Sequence, residues 1–218
     1  MSAEFLSEAL SLANETGPWV VVSAGTGSFV SRIFSARHGP SQVLGLMFVD
    51  PASERVLDTI ASPSRGLGIW LRGVTSPFGI PLLSGAVFRG RTRADRVYGP
   101  QSSRYTGKYL FARLQENLAV NMFTREEVST AQKLQDRSVP VAVVSSELKM
   151  QTDPQWKAVQ QDMTTLTDKL VGWWVAAKGT PHAIWETQTG AREMSRALRK
   201  LLDAIAAHGE GRSATNME

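Results

Sequence analysis

The sequence predicts an α/β fold in which a parallel sheet is flanked by helices and interrupted by a long helical insertion. Three features carry that expectation. Trp19–Ser23 (WVVVS) and Val43–Val49 (VLGLMFV) are short, continuous apolar runs rich in β-branched residues, the pattern of strands buried on both faces. Between them lie a glycine turn (AGTGS) and a helical stretch, Phe29–Arg37, which together make a strand, turn, helix, strand unit. Two later runs, Val139–Ser145 (VPVAVVS) and Leu170–Ala176 (LVGWWVA), repeat the buried-strand pattern.

The remaining elements follow in order. Residues 2–14 place Phe5, Leu6, Ala9, Leu10 and Ala13 at helical spacing, and Gly17-Pro18 ends that helix before the first strand. His38-Gly39-Pro40 stops the second helix, and Asp50-Pro51 closes the second strand. The segment 52–137 reads as an inserted cap, with glycine- and proline-punctuated pieces followed by helices near Lys108–Phe123 and Arg125–Leu134. A helix is expected over Pro154–Lys169 and another over Thr189–Ala207, where Met194, Leu198, Leu201, Leu202 and Ile205 share one face. The expected organisation is one domain over 1–208, with a disordered polar tail over 209–218.

Composition narrows the function classes. With 218 residues, 42% hydrophobic and 20% charged, the chain can bury one sizeable core. It contains no cysteine, which excludes disulfide and thiolate chemistry and leaves the compartment unread. Its three histidines, His38, His182 and His208, are too far apart in sequence to suggest a metal site, so no metal and no cofactor is expected. No apolar run reaches the ~18–20 residues needed to span a bilayer, and the acidic start is unlike a secretory signal, so the chain as it stands is expected to be soluble. The net charge of +4 is unevenly spread, with nine basic residues against Asp95 alone between Arg65 and Arg113. Interleaved with Trp70, Phe78, Phe88, Tyr98, Tyr105 and Tyr109, this block reads either as a solvated helical face or as a surface for an anionic membrane or acidic ligand. No nucleic-acid motif accompanies it, and no nucleic-acid partner is expected. A dinucleotide site fails as well, because GTGSF places Val30 where the third glycine of the fingerprint belongs.

Taken together, GPWVVV, the glycine turn, SRIFSARH, VLGLMFVDPAS, the insertion, VPVAVVSS and the late GTPHAIWE resemble the α/β-hydrolase family from its nucleophile strand to its last helix. The narrower likeness is to fungal membrane-associated hydrolase-like proteins. The resemblance implies a partial α/β-hydrolase-like parallel sheet with a helical cap. It also places the nucleophile elbow at Ser23-Ala24-Gly25-Thr26-Gly27, where family members carry GxSxG. Gly25 then occupies the nucleophile slot, Thr26 supplies the oxyanion-hole amide, Ser23 ends the strand, and Thr26 and Ser28 have structural roles such as helix capping. His182 falls where the family's general base sits. For the acid, Asp50, Glu147 and Asp153 stay open.

The resemblance also implies that the family's earlier strands are missing, leaving Trp19–Ser23 with an unpaired apolar edge. A partner chain, a homodimer along that edge, or a longer version of this protein with membrane segments would complete it. Two function classes remain. One is a hydrolase-fold module without serine chemistry; the other is a hydrolase or lyase in which His182 and a carboxylate act on a small apolar substrate under the cap.

Overall fold

The computed structural model describes residues 2–57, 62–81, 106–119, 125–177 and 184–215. Helix α1 (Ser2–Leu12) precedes β1 (Trp19–Ala24), α2 (Gly27–His38) and β2 (Val43–Val49). After the described parts of the insertion, α3 (Pro63–Thr75), α4 (Gly107–Ala119) and α5 (Arg125–Leu134), come β3 (Val141–Ser146), α6 (Glu147–Thr152), α7 (Pro154–Thr164), β4 (Leu170–Ala176) and α8 (Gln188–Thr215). The four strands form one sheet in the order β1-β2-β3-β4, each pair parallel. Because the strands follow one another in chain order, right-handed crossovers put α2 and α7 on one face, while α8, which follows the last strand, is free to cover the other.

The inner strands explain why their sequences do not alternate. Every residue of β3 and all but Leu44 of β2 are buried, since both faces of the sheet are covered. Against α8, Met47, Val49, Ala142, Val144 and Ala176 pack with Ile184, Ala197 and Leu201. On the other face, α2 contributes Phe29, Ile33 and Phe34, and α7 contributes Trp156, Val159 and Met163. Helix α8 comes close at Gly45, where an added Cβ would lie 2.8 Å from Ile205 Cδ1 and 3.1 Å from Leu201 Cδ1.

Helix α2 is fixed at both ends. Gly39, at φ 71°, ends it in a conformation that favours glycine, and its N–H donates to the Ser35 carbonyl at 2.9 Å. His38 packs its ring on Phe34 and Trp19, at centroid distances of 4.2 and 5.5 Å. Its two ring nitrogens meet Ser7 Oγ (2.9 Å) and Gln42 Oε1 (2.8 Å), so this histidine ties α1 and α2 to the loop before β2.

The chain divides into two compact units, one of residues 1–56 with 127–218 and one of residues 57–126. The second lies inside the expected insertion of 52–137, while the first and last parts of that range belong to the sheet-bearing unit. Within the second unit α3 and α4 approach through glycines, Gly66 beside Asn117 and Gly73 against the Phe111 ring, where an added Cβ would lie 3.2 Å away.

Residues 209–215, expected as a disordered tail, continue α8 to Thr215, and 216–218 lie outside the described residues. Once a helix is nucleated and packed, each further residue adds one hydrogen bond for one fixed residue, and isolated glycines such as Gly209 and Gly211 weaken the helix by only about 1 kcal/mol each.

The close approach at Gly45 is testable. Gly45→Ala should cost under about 1 kcal/mol, because the flexible tips of Ile205 and Leu201 can swing aside, whereas Gly45→Val should cost about 1–3 kcal/mol by overpacking. Urea denaturation would show the difference as a lowered midpoint at an unchanged slope.

Candidate functional site

The candidate site forms where β1 and β2 end and the chain turns at their carboxyl edge. Gly25 sits in the turn between β1 and α2 at φ 53°, backbone space that an L side chain enters only under strain. An added Cβ there would meet no atom within 4 Å, so glycine relieves the backbone and not a crowded pocket. Its N–H donates to the Val49 carbonyl (3.0 Å), and its carbonyl accepts from the Ala52 N–H (3.0 Å). The peptide at Gly25 therefore grips the chain on both sides of Asp50-Pro51.

The neighbouring hydroxyls are occupied in holding this turn. Ser28 is fully buried, and its Oγ lies 2.8 Å from the Gly25 carbonyl and 2.7 Å from that of Ala52. Ser23 Oγ lies 2.8 Å from Ser31 Oγ on the first turns of α2. Thr26 stands at the N-cap of α2 in helical backbone space and makes no side-chain cap bond, so the capping expected of it is not made. It is exposed at the mouth of the turn, next to half-buried Gly25 and Gly27.

Asp50 ends β2, also at positive φ (45°), and is 1% exposed. Its Oδ1 accepts from the Ser146 N–H (3.2 Å) at the end of β3 and from the indole Nε1–H of Trp156 (2.9 Å) on α7. Lys149 lies over the same Trp156 ring, 3.4 Å from its centroid. Burial pushes the Lys149 ammonium below the usual lysine range, against the opposing pull of the Asp50 and Asp153 charges.

No family model matches the chain. It is 34% identical over 200 residues to an uncharacterized protein of Schizosaccharomyces pombe, an alignment that covers 91% of this chain and 36% of the relative, so the chain spans about a third of that protein's length. Among solved structures, a carboxylesterase of the thaumarchaeon Nitrososphaera gargenis superposes over 94% of this chain and 72% of its own with a TM-score of 0.58 at 15% identity. An α/β-hydrolase fold protein from Nakamurella multipartita aligns over 91% of this chain and 74% of its own, with a TM-score of 0.42 at 16% identity. The carboxylesterase likeness, on a parallel sheet of this order, decides the fold. The chain has the α/β-hydrolase fold.

Within this hydrolase fold, the structure brings Gly25, Thr26, Gly27 and Asp50 to one edge of the sheet and separates the other two acids from them in role. Glu147 opens α6 and accepts at Oε1 from Gln151 Nε2 (3.2 Å), an exposed pairing one helical turn along. Asp153 caps α7 by accepting from the Trp156 N–H (3.1 Å). His182 lies outside the described residues. No group of three or more potential metal ligands occurs among the described residues.

Several residues at this edge were not singled out by sequence. Trp173 Nε1–H donates to Ser145 Oγ (2.7 Å), Ser145 Oγ donates to Gln160 Oε1 (2.8 Å), and Gln160 Nε2 donates to the Pro51 carbonyl (2.9 Å). That chain links β4, β3 and α7 to the turn after β2. Beside it, Arg32 of α2, 1% exposed in its side chain, forks onto Glu54 with contacts of 3.0 and 2.8 Å. Burial works against the charge of Glu54, but the two hydrogen bonds and the charge of Arg32 outweigh it and hold the carboxyl below the ordinary glutamate range.

Because Glu54 has a lower pKa folded than unfolded, its stabilisation is complete above the ordinary value of 4.5 and is lost as pH falls below it. Glu54→Gln should therefore cost about 3 kcal/mol at neutral pH, leaving Arg32 buried without its charge partner, and should remove part of the loss of stability on acidification. Urea midpoints for both proteins between pH 7 and pH 3 would check the cost and the changed slope.

Proposed function

We propose that this chain is a hydrolase-fold module that does not use serine chemistry and that acts through binding rather than turnover. The observation that carries this reading is Gly25 at positive φ in the turn where the fold's nucleophile belongs, with no side chain to attack a carbonyl. The nearest hydroxyls, on Ser23 and Ser28, are committed to Ser31 and to the carbonyls of Gly25 and Ala52. Activating either as a nucleophile would first dismantle the turn. On this reading the ligand space is at the carboxyl ends of the strands, bounded by Gly25, Thr26 and the Asp50 turn. The outer edge of β1, which has no strand partner among the described residues, is where a further strand would add, from a longer form of the chain, a second copy or another protein.

A second reading, hydrolase or lyase chemistry by His182 with a carboxylate on a small apolar substrate, is favoured by one observation. Asp50 is a buried carboxylate at the edge of the sheet, in backbone space that costs about 1–3 kcal/mol to hold. Against it, Oδ1 already accepts two donors that fasten β2 to β3 and α7.

Treating the folded protein with a fluorophosphonate probe separates these readings from ordinary serine hydrolysis. Intact mass should show no adduct, and His182→Ala should leave the spectrum unchanged. An adduct mapped to Ser23, Thr26 or Ser28 that disappears in His182→Ala would overturn the proposal. Turnover without an adduct, abolished by His182→Ala and retained in Ser23→Ala, would decide for the second reading.

A further inference from the structure

We infer that α3 is an interfacial helix that seats on an anionic phospholipid surface. Leu67, Trp70, Leu71 and Val74 recur at i, i+3, i+4 and i+7, the spacing of a stripe that normally faces a core. Here they are 58%, 45%, 51% and 44% exposed, and the chain continues beyond the helix into Phe78 and Ile80, at 77% and 52%. The face that α3 does bury is a different one, the glycine side at Gly66 and Gly73 that lies against α4. Six large apolar side chains in one short stretch thus meet solvent on a helix already packed elsewhere, far more than scattered surface hydrophobes.

The charge around the stripe selects the occupant. Helix α3 has no acidic residue, and its two charges, Arg65 and Arg72, are exposed on the side of the helix away from the stripe. Across 65–113 the sequence carries nine basic residues and one acidic one. Apolar and aromatic groups on one face, arginine on the other and no acid between is the distribution of a helix lying in the plane of a membrane interface, with Trp70 suited to the headgroup boundary. An anionic bilayer supplies both the apolar phase for the stripe and the countercharge for the arginines. No helix among the described residues is long and apolar enough to cross a membrane, so α3 would lie on the bilayer and not span it. This inference stands apart from the chemistry at Gly25, and either can fail alone.

The absence of cysteine allows a site-specific test on the whole chain. Leu71→Cys and, as a control on α8, Ser195→Cys would each be labelled with the environment-sensitive fluorophore NBD. The labelled proteins would be mixed with vesicles of phosphatidylcholine alone or with 30% phosphatidylserine. The expected result is an emission rise at position 71 and not at 195, only with the anionic vesicles, weakened by salt. It should be lost in Leu67→Ser/Val74→Ser and reduced about fivefold in partition constant by Arg65→Gln or Arg72→Gln. Circular dichroism melts would establish that each variant is folded. Equal binding to neutral vesicles, a signal at 195 but not 71, or no vesicle binding accompanied by self-association that Leu67→Ser/Val74→Ser abolishes, would each overturn the inference.

Discussion

The peptide at Gly25 is the constraint on which the candidate site depends. A parallel strand must hand its chain to a helix at the sheet edge, and every buried backbone group in that reversal needs a partner. Gly25 meets the demand by donating to Val49 and accepting from Ala52, which joins the β1–α2 turn to the β2 turn in one hydrogen-bonded unit. The positive φ is what aims both groups at once, and a residue with a side chain would hold it only under strain of about 1–3 kcal/mol. Ser28 completes the arrangement from inside the helix, sharing its hydroxyl between the carbonyls of Gly25 and Ala52.

Around that unit the sheet edge is polar, and side-chain hydrogen bonds join its elements. Asp50 couples β2 to β3 and α7, the Trp173–Ser145–Gln160 chain couples β4 to the Pro51 carbonyl, and the Arg32–Glu54 fork couples α2 to the segment after β2. Each of these is costly when broken on one side only, because the remaining buried group keeps its desolvation penalty without compensation. The result is a cross-linked floor at the carboxyl ends of the strands, the place where open α/β sheets present their ligand sites.

Much of this fold was legible in the sequence, and the reason lies in local pattern. The runs VLGLMFV and VPVAVVS do not alternate because strands inside a covered parallel sheet have no solvent face, so they stand out from helices of 3.6 period. The Gly25 turn was legible because glycine between a strand and a helix has few other uses. What stayed hidden depends on partners far along the chain. Gln160 and Trp173 look like ordinary helix and strand residues until the fold sets them on either side of Ser145, and Arg32 meets Glu54 only because a crossover brings α2 over the end of β2. The α3 stripe shows the opposite failure: its spacing is plain in sequence, but whether such a stripe faces core or solvent is settled by packing alone.

The same physics that keeps the turn intact separates fold from chemistry. A serine at position 25 would be held against its own backbone preference, and that strain is tolerable only when the surrounding structure over-determines the turn. Here the surroundings do over-determine it, through Val49, Ala52 and Ser28, none of which contributes a side chain that a nucleophile would need beyond its own placement. Glycine satisfies those same bonds without strain and leaves open space where Oγ would have stood. Glycine at this position therefore costs the turn nothing. On the reading proposed above, the sheet edge stays well formed without a serine at this turn, because the bonds that hold it run through the Gly25 peptide and the Ser28 hydroxyl and not through a side chain at position 25.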